Sequence, residues 1–244
     1  MIKWRLNPDF AHLAHDFSVL DAVFALQGER ITFDPISSVI RVIRGGQTFY
    51  VKRYHTAGKG LRPFLPHPRI KLEWQNLQHF RRWGIPTAQV VAYGMQRRNK
   101  AFVRGAMITL EIPNSRDLAD LAHMQSPLLK DRHWVQQVSA QLAIITRTLH
   151  AYNFTHNDLK WRNVLVDDQN KVFLIDCPTG RFWHGPFLRY RIIKDLACLD
   201  KVAKYHLSRT QRLRFYLDYC QRTKLIPADK AQIKKIIRFF EGRE

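Results

Sequence analysis

The sequence predicts an α+β fold in two lobes: an antiparallel sheet braced by one helix over residues 1–112, and a mainly helical lobe over residues 113–244. Three observations carry that prediction. Runs of β-branched and aromatic residues dominate from Val39 to Leu110, one long helical period interrupts them, and beyond Asp131 the apolar spacing turns helical. No Gly/Ser linker, repeat or low-complexity tract separates the halves, so the lobes are parts of one domain.

Each element has its own signal. Over Asp16–Leu26 the spacing of Phe17, Leu20 and Phe24, followed by Gly28, predicts a short amphipathic helix. VIRVI from Val39, then Gly45 and Gly46, then TFYVKRY predict a hairpin. Leu72, Leu77, Phe80 and Trp83 recur at helical intervals before Gly84 and Pro86, which predicts a helix of about three turns. AQVVAYG and AFVRGAMITL read as further strands, and Ser115 to Leu121 as a short helix or turn. Val135, Val138, Leu142, Ile145 and Leu149 then line one face of a long helix. VLVDD and KVFLIDC, joined around Asp168–Asn170, predict a second hairpin, and two or three basic helices complete the chain.

Composition narrows the function. The 244 residues are 45% hydrophobic, enough for a real core and too many for a disordered chain. Forty Lys and Arg against twenty Asp and Glu leave a net charge of +20, so the natural partner carries negative charge. Cys177, Cys198 and Cys220 are odd in number and lack CxxC spacing, against a disulfide framework or zinc site. No stretch approaches the roughly 18 consecutive apolar residues of a membrane span, and the start, MIKWRLNPDF, has no apolar signal core. The expectation is a soluble or peripheral protein kept in a reducing cytoplasm.

The chemistry concentrates in His156-Asn157-Asp158-Leu159-Lys160-Trp161-Arg162-Asn163, followed thirteen residues after Asn163 by Asp176. One carboxylate can orient a hydroxyl, a cation two residues on can meet phosphate oxygens, and an amide with a second carboxylate can hold Mg2+. These are the parts that phosphoryl transfer needs. The text resembles the protein-kinase-like superfamily, whose H-R-D-x-x-x-x-N loop matches His156, Asp158 and Asn163 in register and whose D-F-G aspartate matches Asp176. Asn157 stands in place of the Arg, and Cys177-Pro178 in place of Phe-Gly.

The resemblance implies further residues. Lys52, in TFYVKRY, would contact the ATP phosphates, and Glu73, twenty-one residues later on the helix, would hold it. Glu73 is the one acidic residue among fourteen Lys and Arg between Pro35 and Leu110, which itself suggests a specific cationic partner. There is no G-x-G-x-x-G before Lys52; Ser37 and Ser38, in the turn after Pro35, would offer hydroxyls and backbone amides to phosphates instead. Glu111 and Ile112 would meet adenine through their backbone, although Pro113 removes one donor. His156 reads as a packed structural residue, and Asp195 as the aspartate that braces the catalytic loop. Only residues 177–194 separate Asp176 from Asp195, with no long activation segment or A-P-E, so a non-peptide acceptor is expected.

Among short bacterial members of that superfamily, the chain looks most like the lipopolysaccharide core kinases, the group of heptose and Kdo kinases. The resemblance rests on YVKRYHTAGKGLRPFL, RIKLEWQNLQHFRRWGIPTAQVVAYG, FTHNDLKWRNVLV with FLIDCPTG, and the opening FSVLDAVFALQGE, and spans residues 17 to 205. It implies ATP and Mg2+ as cofactors, Asp158 and Lys160 as catalytic residues, Asn163 and Asp176 as metal ligands, and a core sugar as acceptor. The opening helix and the VVAYG strand favour heptose over Kdo. The anionic core glycolipid and the cytoplasmic face of the inner membrane are then the expected partners, with Lys59 and Arg62 as contacts to core phosphates or carboxylates. Toward the C-terminus, Ile233, Ile236, Ile237 and Phe240 share a helix face flanked by Lys234, Lys235 and Arg238, which either packs on a core or rests on anionic lipid. The rivals are another small-molecule or protein kinase, a non-enzymatic nucleic-acid binder, and a degenerate kinase fold working as a scaffold; the aligned catalytic set opposes the last two, so no nucleic acid is expected, while the absent glycine loop keeps the scaffold reading open.

Overall fold

Alternation of apolar and polar residues in the first half of the chain builds one six-stranded antiparallel sheet, in the order β1-β5-β6-β4-β3-β2. Its strands are β1 (Ile2–Leu6), β2 (Glu29–Phe33), β3 (Ser37–Arg44), β4 (Gln47–Tyr54), β5 (Val90–Arg98) and β6 (Ala101–Leu110). The computed structural model describes residues 1–60 and 62–242; Leu61, in the basic loop between Lys59 and Arg62, lies outside the described residues. These divide into two units, Met1–His79 with Thr87–Ile112, and Phe80–Pro86 with the chain from Pro113 onward.

In the first unit the period of two sorts the side chains to opposite faces of the sheet. Ile40, Val42, Phe49, Val51, Ala106 and Ile108 meet Phe10, Leu13, Phe17, Leu20 and Val23 in one core. Those last five come from a 3-10 segment and helices α1 (Ala14–Phe17) and α2 (Leu20–Ala25). On the opposite register Lys52 pairs with Met107, and helix α3 (Arg69–Arg82) supplies Ile70, whose Cδ1 lies beside Gly105. Trp74 of α3 stacks on Tyr93 of β5 with ring centroids 4.7 Å apart.

Two details differ from the sequence reading. The predicted helix over Asp16–Leu26 is broken, because Val19 is extended (φ −132°, ψ 144°) between α1 and α2. The break lets Phe17, Leu20 and Val23 all be buried while Val19 faces outward. Strand β1 was not anticipated, although Ile2, Trp4 and Leu6 alternate with Lys3 and Arg5. It pairs with β5, and the Trp4 indole N–H donates to the Phe17 carbonyl at 2.7 Å, fastening the strand to α1.

The second unit contains β7 (Arg116–Asp117), α4 (Leu118–His123), α5 (Arg132–Ala151), β8 (Phe154–Thr155), β9 (Val164–Val166), β10 (Val172–Leu174), β11 (Arg181–Phe182), α6 (Gly185–His206), α7 (Arg209–Cys220) and α8 (Pro227–Ile237). Asp131 caps α5 by accepting from the His133 amide at 2.8 Å, and the predicted stripe from Val135 to Leu149 is buried. Gln141 on α5 reads the β9–β10 hairpin with both ends of its amide: Nε2 donates to the Asn170 carbonyl at 2.7 Å, and Oε1 accepts from the Val172 amide at 3.1 Å. Arg212 of α7 holds Asp200 of α6 through two bonds of 2.6 Å. Most of the apolar face of α8 packs inward, whereas Ile237 stays exposed. Ile236 is buried, and Ile233 and Phe240 join Leu196 and Tyr216 around it. No described helix is long and apolar enough to cross a membrane.

Candidate active site

The loop from His156 to Asn163 leaves β8 and enters β9, and buried polar groups determine its path. Asp195, fully buried on α6, accepts from the His156 amide at 2.7 Å and the Asn157 amide at 2.8 Å, one on each carboxylate oxygen. Asn157 has a left-handed backbone with φ 64°, a conformation that Asn adopts at little cost. Its side chain accepts from Thr155 Oγ1 at 3.2 Å and donates to the Thr179 carbonyl at 2.8 Å. The residue standing where the kinase pattern has Arg therefore shapes the loop. Its small amide permits the bend and ties it to the segment after Asp176.

His156 is enclosed and packs beside Phe80, with ring centroids 6.3 Å apart. Burial lowers its pKa against the pull of Asp195, Asp176 and Asp158, so the ring stays neutral and braces the loop. Asp158 projects from this frame. Lys160 Nζ lies 2.6 Å from one of its carboxylate oxygens and Arg162 Nη2 lies 3.4 Å from the other. Asn163 is buried and donates through Nδ2 to the Asp158 carbonyl at 2.8 Å, which leaves Oδ1 as the free acceptor end of that amide. The Ile175 amide donates to the Asn163 carbonyl at 3.0 Å, so the backbone beside Asp176 is fixed to the same loop. Asp176 is itself left-handed, φ 53°. Asn163 Oδ1 and the Asp176 carboxylate are hard oxygen donors of the kind Mg2+ takes, and two such protein ligands suffice when phosphates and water supply the rest.

Cys177 and Thr179, which follow Asp176, both reach the His156 carbonyl, Thr179 Oγ1 at 3.3 Å. A side chain on Gly180 would collide with Cys177 Sγ and the Phe154 ring, so this short segment lies tightly against β8. Trp161 is anchored by its indole N–H to the Leu199 carbonyl at 3.0 Å.

In the first unit, Lys52 Nζ lies 2.9 Å from Glu73 Oε1, and the Tyr54 hydroxyl donates to Glu73 Oε2 at 2.7 Å. Glu73 is almost fully buried, and the two strand residues reach it from one face of β4. Sequence reasoning missed Tyr54, although its position two residues beyond Lys52 puts it on the same face of the strand.

The turn between β2 and β3 is organised by a residue the sequence reading passed over. Asp34 Oδ1 accepts from the Ile36 amide at 2.7 Å and the Ser37 amide at 2.8 Å, and Ser37 Oγ donates to Asp34 Oδ2 at 2.9 Å. Burial pushes the Asp34 carboxyl up, but these donors and the charge of Arg69 outweigh it and the pKa falls. Ser38 Oγ lies 2.9 Å from His55 Nε2. Both serines lie at the start of β3, Ser37 bonded to Asp34 and Ser38 to His55 beyond β4, and Asp-Pro followed by Ser was the available signal for the turn before them. The Glu111 amide donates to the Thr48 carbonyl at 2.9 Å, while its carboxylate accepts from the Tyr50 hydroxyl at 3.2 Å. Lys59 and Arg62 are exposed.

With this geometry in hand, comparison with known proteins gives one deciding match. The family model described as "Lipopolysaccharide kinase (Kdo/WaaP) family" matches residues 21–219. The chain belongs to this family. A 3-deoxy-D-manno-octulosonic acid kinase of Vibrio cholerae is 27% identical over 104 residues, 43% of this chain and 41% of that protein. A Fowlpox virus protein named as a probable serine/threonine-protein kinase is 25% identical over 108 residues, 44% of this chain and 34% of its own. The matched segment thus spans well under half of either curated relative. The solved structure titled "WaaP in complex with acyl carrier protein" superposes with a TM-score of 0.76 at 21% identity, covering 98% of both chains. The family's fold is therefore the fold of this chain: a kinase-like α+β architecture, as the sequence predicts.

Proposed function

We propose that this member of the lipopolysaccharide kinase family transfers the γ-phosphoryl group of ATP to a sugar hydroxyl of the lipopolysaccharide inner core, a heptose hydroxyl first. The observation that carries the reading is Asp158, held out by a loop that Asp195 braces, with a cation on each of its oxygens. Asp158 orients the acceptor hydroxyl and takes its proton as the oxygen bonds to phosphorus and the bond to ADP breaks. Lys160 offsets charge on the transferring group, and Lys52, fixed by Glu73, meets the α and β phosphates. Asn163 and Asp176 are the residues that would hold Mg2+, which when bound neutralises phosphate charge. Glu111 and Ile112 offer backbone groups to adenine, and Lys59 and Arg62 charge to the anionic core. The acceptor places the enzyme in the cytoplasm, on the inner face of the inner membrane. A Kdo hydroxyl is the second reading, favoured by the activity named for the Vibrio cholerae relative.

The test is mass spectrometry of core oligosaccharide from cells lacking the gene, complemented by wild type or by Asp158→Ala. The expected result is loss of one phosphoryl group, about 80 Da, restored by wild type alone; fragmentation assigns it to heptose or Kdo. An unchanged core rejects the acceptor.

The nucleotide half of the reading has its own check. Glu73→Gln removes the charge that orients Lys52, a charge-assisted bond of about 1.5–3 kcal/mol. It is expected to lower kcat/KM for ATP by ~10- to 100-fold, measured by ADP release at fixed acceptor, and to lower the thermal midpoint by several degrees, because only one of the two buried donors on Glu73 keeps an acceptor.

A further inference from the structure

Exposed rings stand singly at Phe33, Phe64, Tyr152 and Tyr205, but the segment that follows Asp176 carries several close together. Phe182, Phe187 and Tyr190 are 48%, 70% and 46% exposed. Phe187, Tyr190, Arg191 and Lys194 follow one another at i, i+3, i+4 and i+7, one face of the first turns of α6. The Arg191 guanidinium lies 4.7 Å from the Trp183 ring and 5.8 Å from that of Tyr190, so cation and rings form one layer. From Arg181 to Lys194 the chain carries Arg181, Arg189, Arg191 and Lys194, with His184, and no Asp or Glu.

Single exposed aromatics are ordinary, but three within nine residues, set in charge of one sign, form a patch with a partner. Rings that reach headgroup depth and cations that meet phosphates are what the interface of an anionic bilayer accepts. Each ring is backed by another, Phe182 by Phe154, Phe187 by Trp183 and Tyr190 by Phe239, while about half or more of it stays exposed, which suits shallow insertion at headgroup depth. We propose that the Arg181–Lys194 face docks the protein on an anionic lipid bilayer. This deepens the core-kinase reading and rests on it for its purpose, because the acceptor is anchored in such a surface.

Full-length protein would be co-sedimented with phosphatidylcholine vesicles and with vesicles that also contain phosphatidylglycerol. Wild type is expected on the anionic vesicles and not on the neutral ones. The double variant Phe187→Ala/Tyr190→Ala should lower the partition coefficient about tenfold or more, and Arg181→Glu/Arg189→Glu should abolish binding. Tyr205→Ala removes a 74% exposed ring at the other end of α6 and should bind as wild type. Phosphoryl transfer to membrane-embedded glycolipid should fall with binding, whereas transfer to delipidated core oligosaccharide should be unchanged in every variant. Equal binding by the double variant, equal loss in Tyr205→Ala, equal binding to neutral vesicles, or capture of an acidic protein without vesicle binding would each overturn the docking face. Vesicle binding as expected, with no transfer to any core by wild type, would instead reject the acceptor reading and leave the docking face standing.

Discussion

Asp158→Ala is expected to lower the rate of phosphoryl transfer by ~10²–10⁴-fold, the range over which a positioned general base contributes. The fold should survive, because the Asp158 side chain belongs to no buried network: its carboxylate meets Lys160 and Arg162, both largely solvated. What holds the loop is backbone, through the Asn163 amide on the Asp158 carbonyl and the two amides on Asp195, and these remain in the variant. The KM for ATP should therefore move by less than about threefold while kcat collapses, the pattern of an interaction made only in the transition state. Steady-state ADP release at saturating acceptor, compared with single-turnover transfer from γ-labelled ATP, measures both. A variant retaining more than a tenth of wild-type kcat would remove Asp158 from the chemistry.

Asp195→Asn should act by the opposite route. Both carboxylate oxygens of Asp195 accept buried amides, and an asparagine can accept with one of them only. At least one buried N–H then faces another donor, and an unsatisfied buried group costs ~1–3 kcal/mol, more where a charge was the acceptor. A loss of about 2–5 kcal/mol corresponds to a thermal midpoint lowered by ~5–15 °C for a chain of this size. Activity should fall as well, because the amides concerned precede Asp158 directly. Differential scanning calorimetry and kcat, taken on the same preparation, check the two together. A variant as stable as wild type would show that the brace is dispensable.

The parts of this protein that were legible in its sequence are those fixed by local pattern. β-branched and aromatic runs on either side of Gly45-Gly46 put VIRVI from Val39 and TFYVKRY into a hairpin, the period of 3.6 put Val135 to Leu149 on one helix face, and the order of Lys52, Glu73, Asp158, Asn163 and Asp176 pointed to phosphoryl transfer. What the sequence left open was decided by backbone geometry or by tertiary packing. Phe17, Leu20 and Val23 keep helical spacing across Val19, so the break between α1 and α2 has no signature in the spacing. The replacement of Arg by Asn157 looked like a departure until the backbone showed a φ that suits Asn. The face of α8 fits a bilayer and a core equally by periodicity; Ile233 and Ile236 pack against the cluster of Leu196 and Tyr216, and Ile237 remains exposed. Tyr54 and Asp34 were readable in principle, one by strand alternation and one by turn chemistry, but each matters only because of a partner far off in the chain or on the backbone.

On the proposed reading, the turn at Asp34 bears on the thermodynamics of nucleotide capture. Glycine-rich loops leave the unliganded protein with many backbone states, and a ligand that selects one of them loses that entropy on binding. Here a carboxylate already receives the Ile36 and Ser37 amides and the Ser37 hydroxyl, and the His55 amide donates to the Ile36 carbonyl at 2.9 Å. The ordering is completed when the chain folds, so under the proposed reading a nucleotide meeting this turn would find it already settled, with little affinity deducted for ordering it.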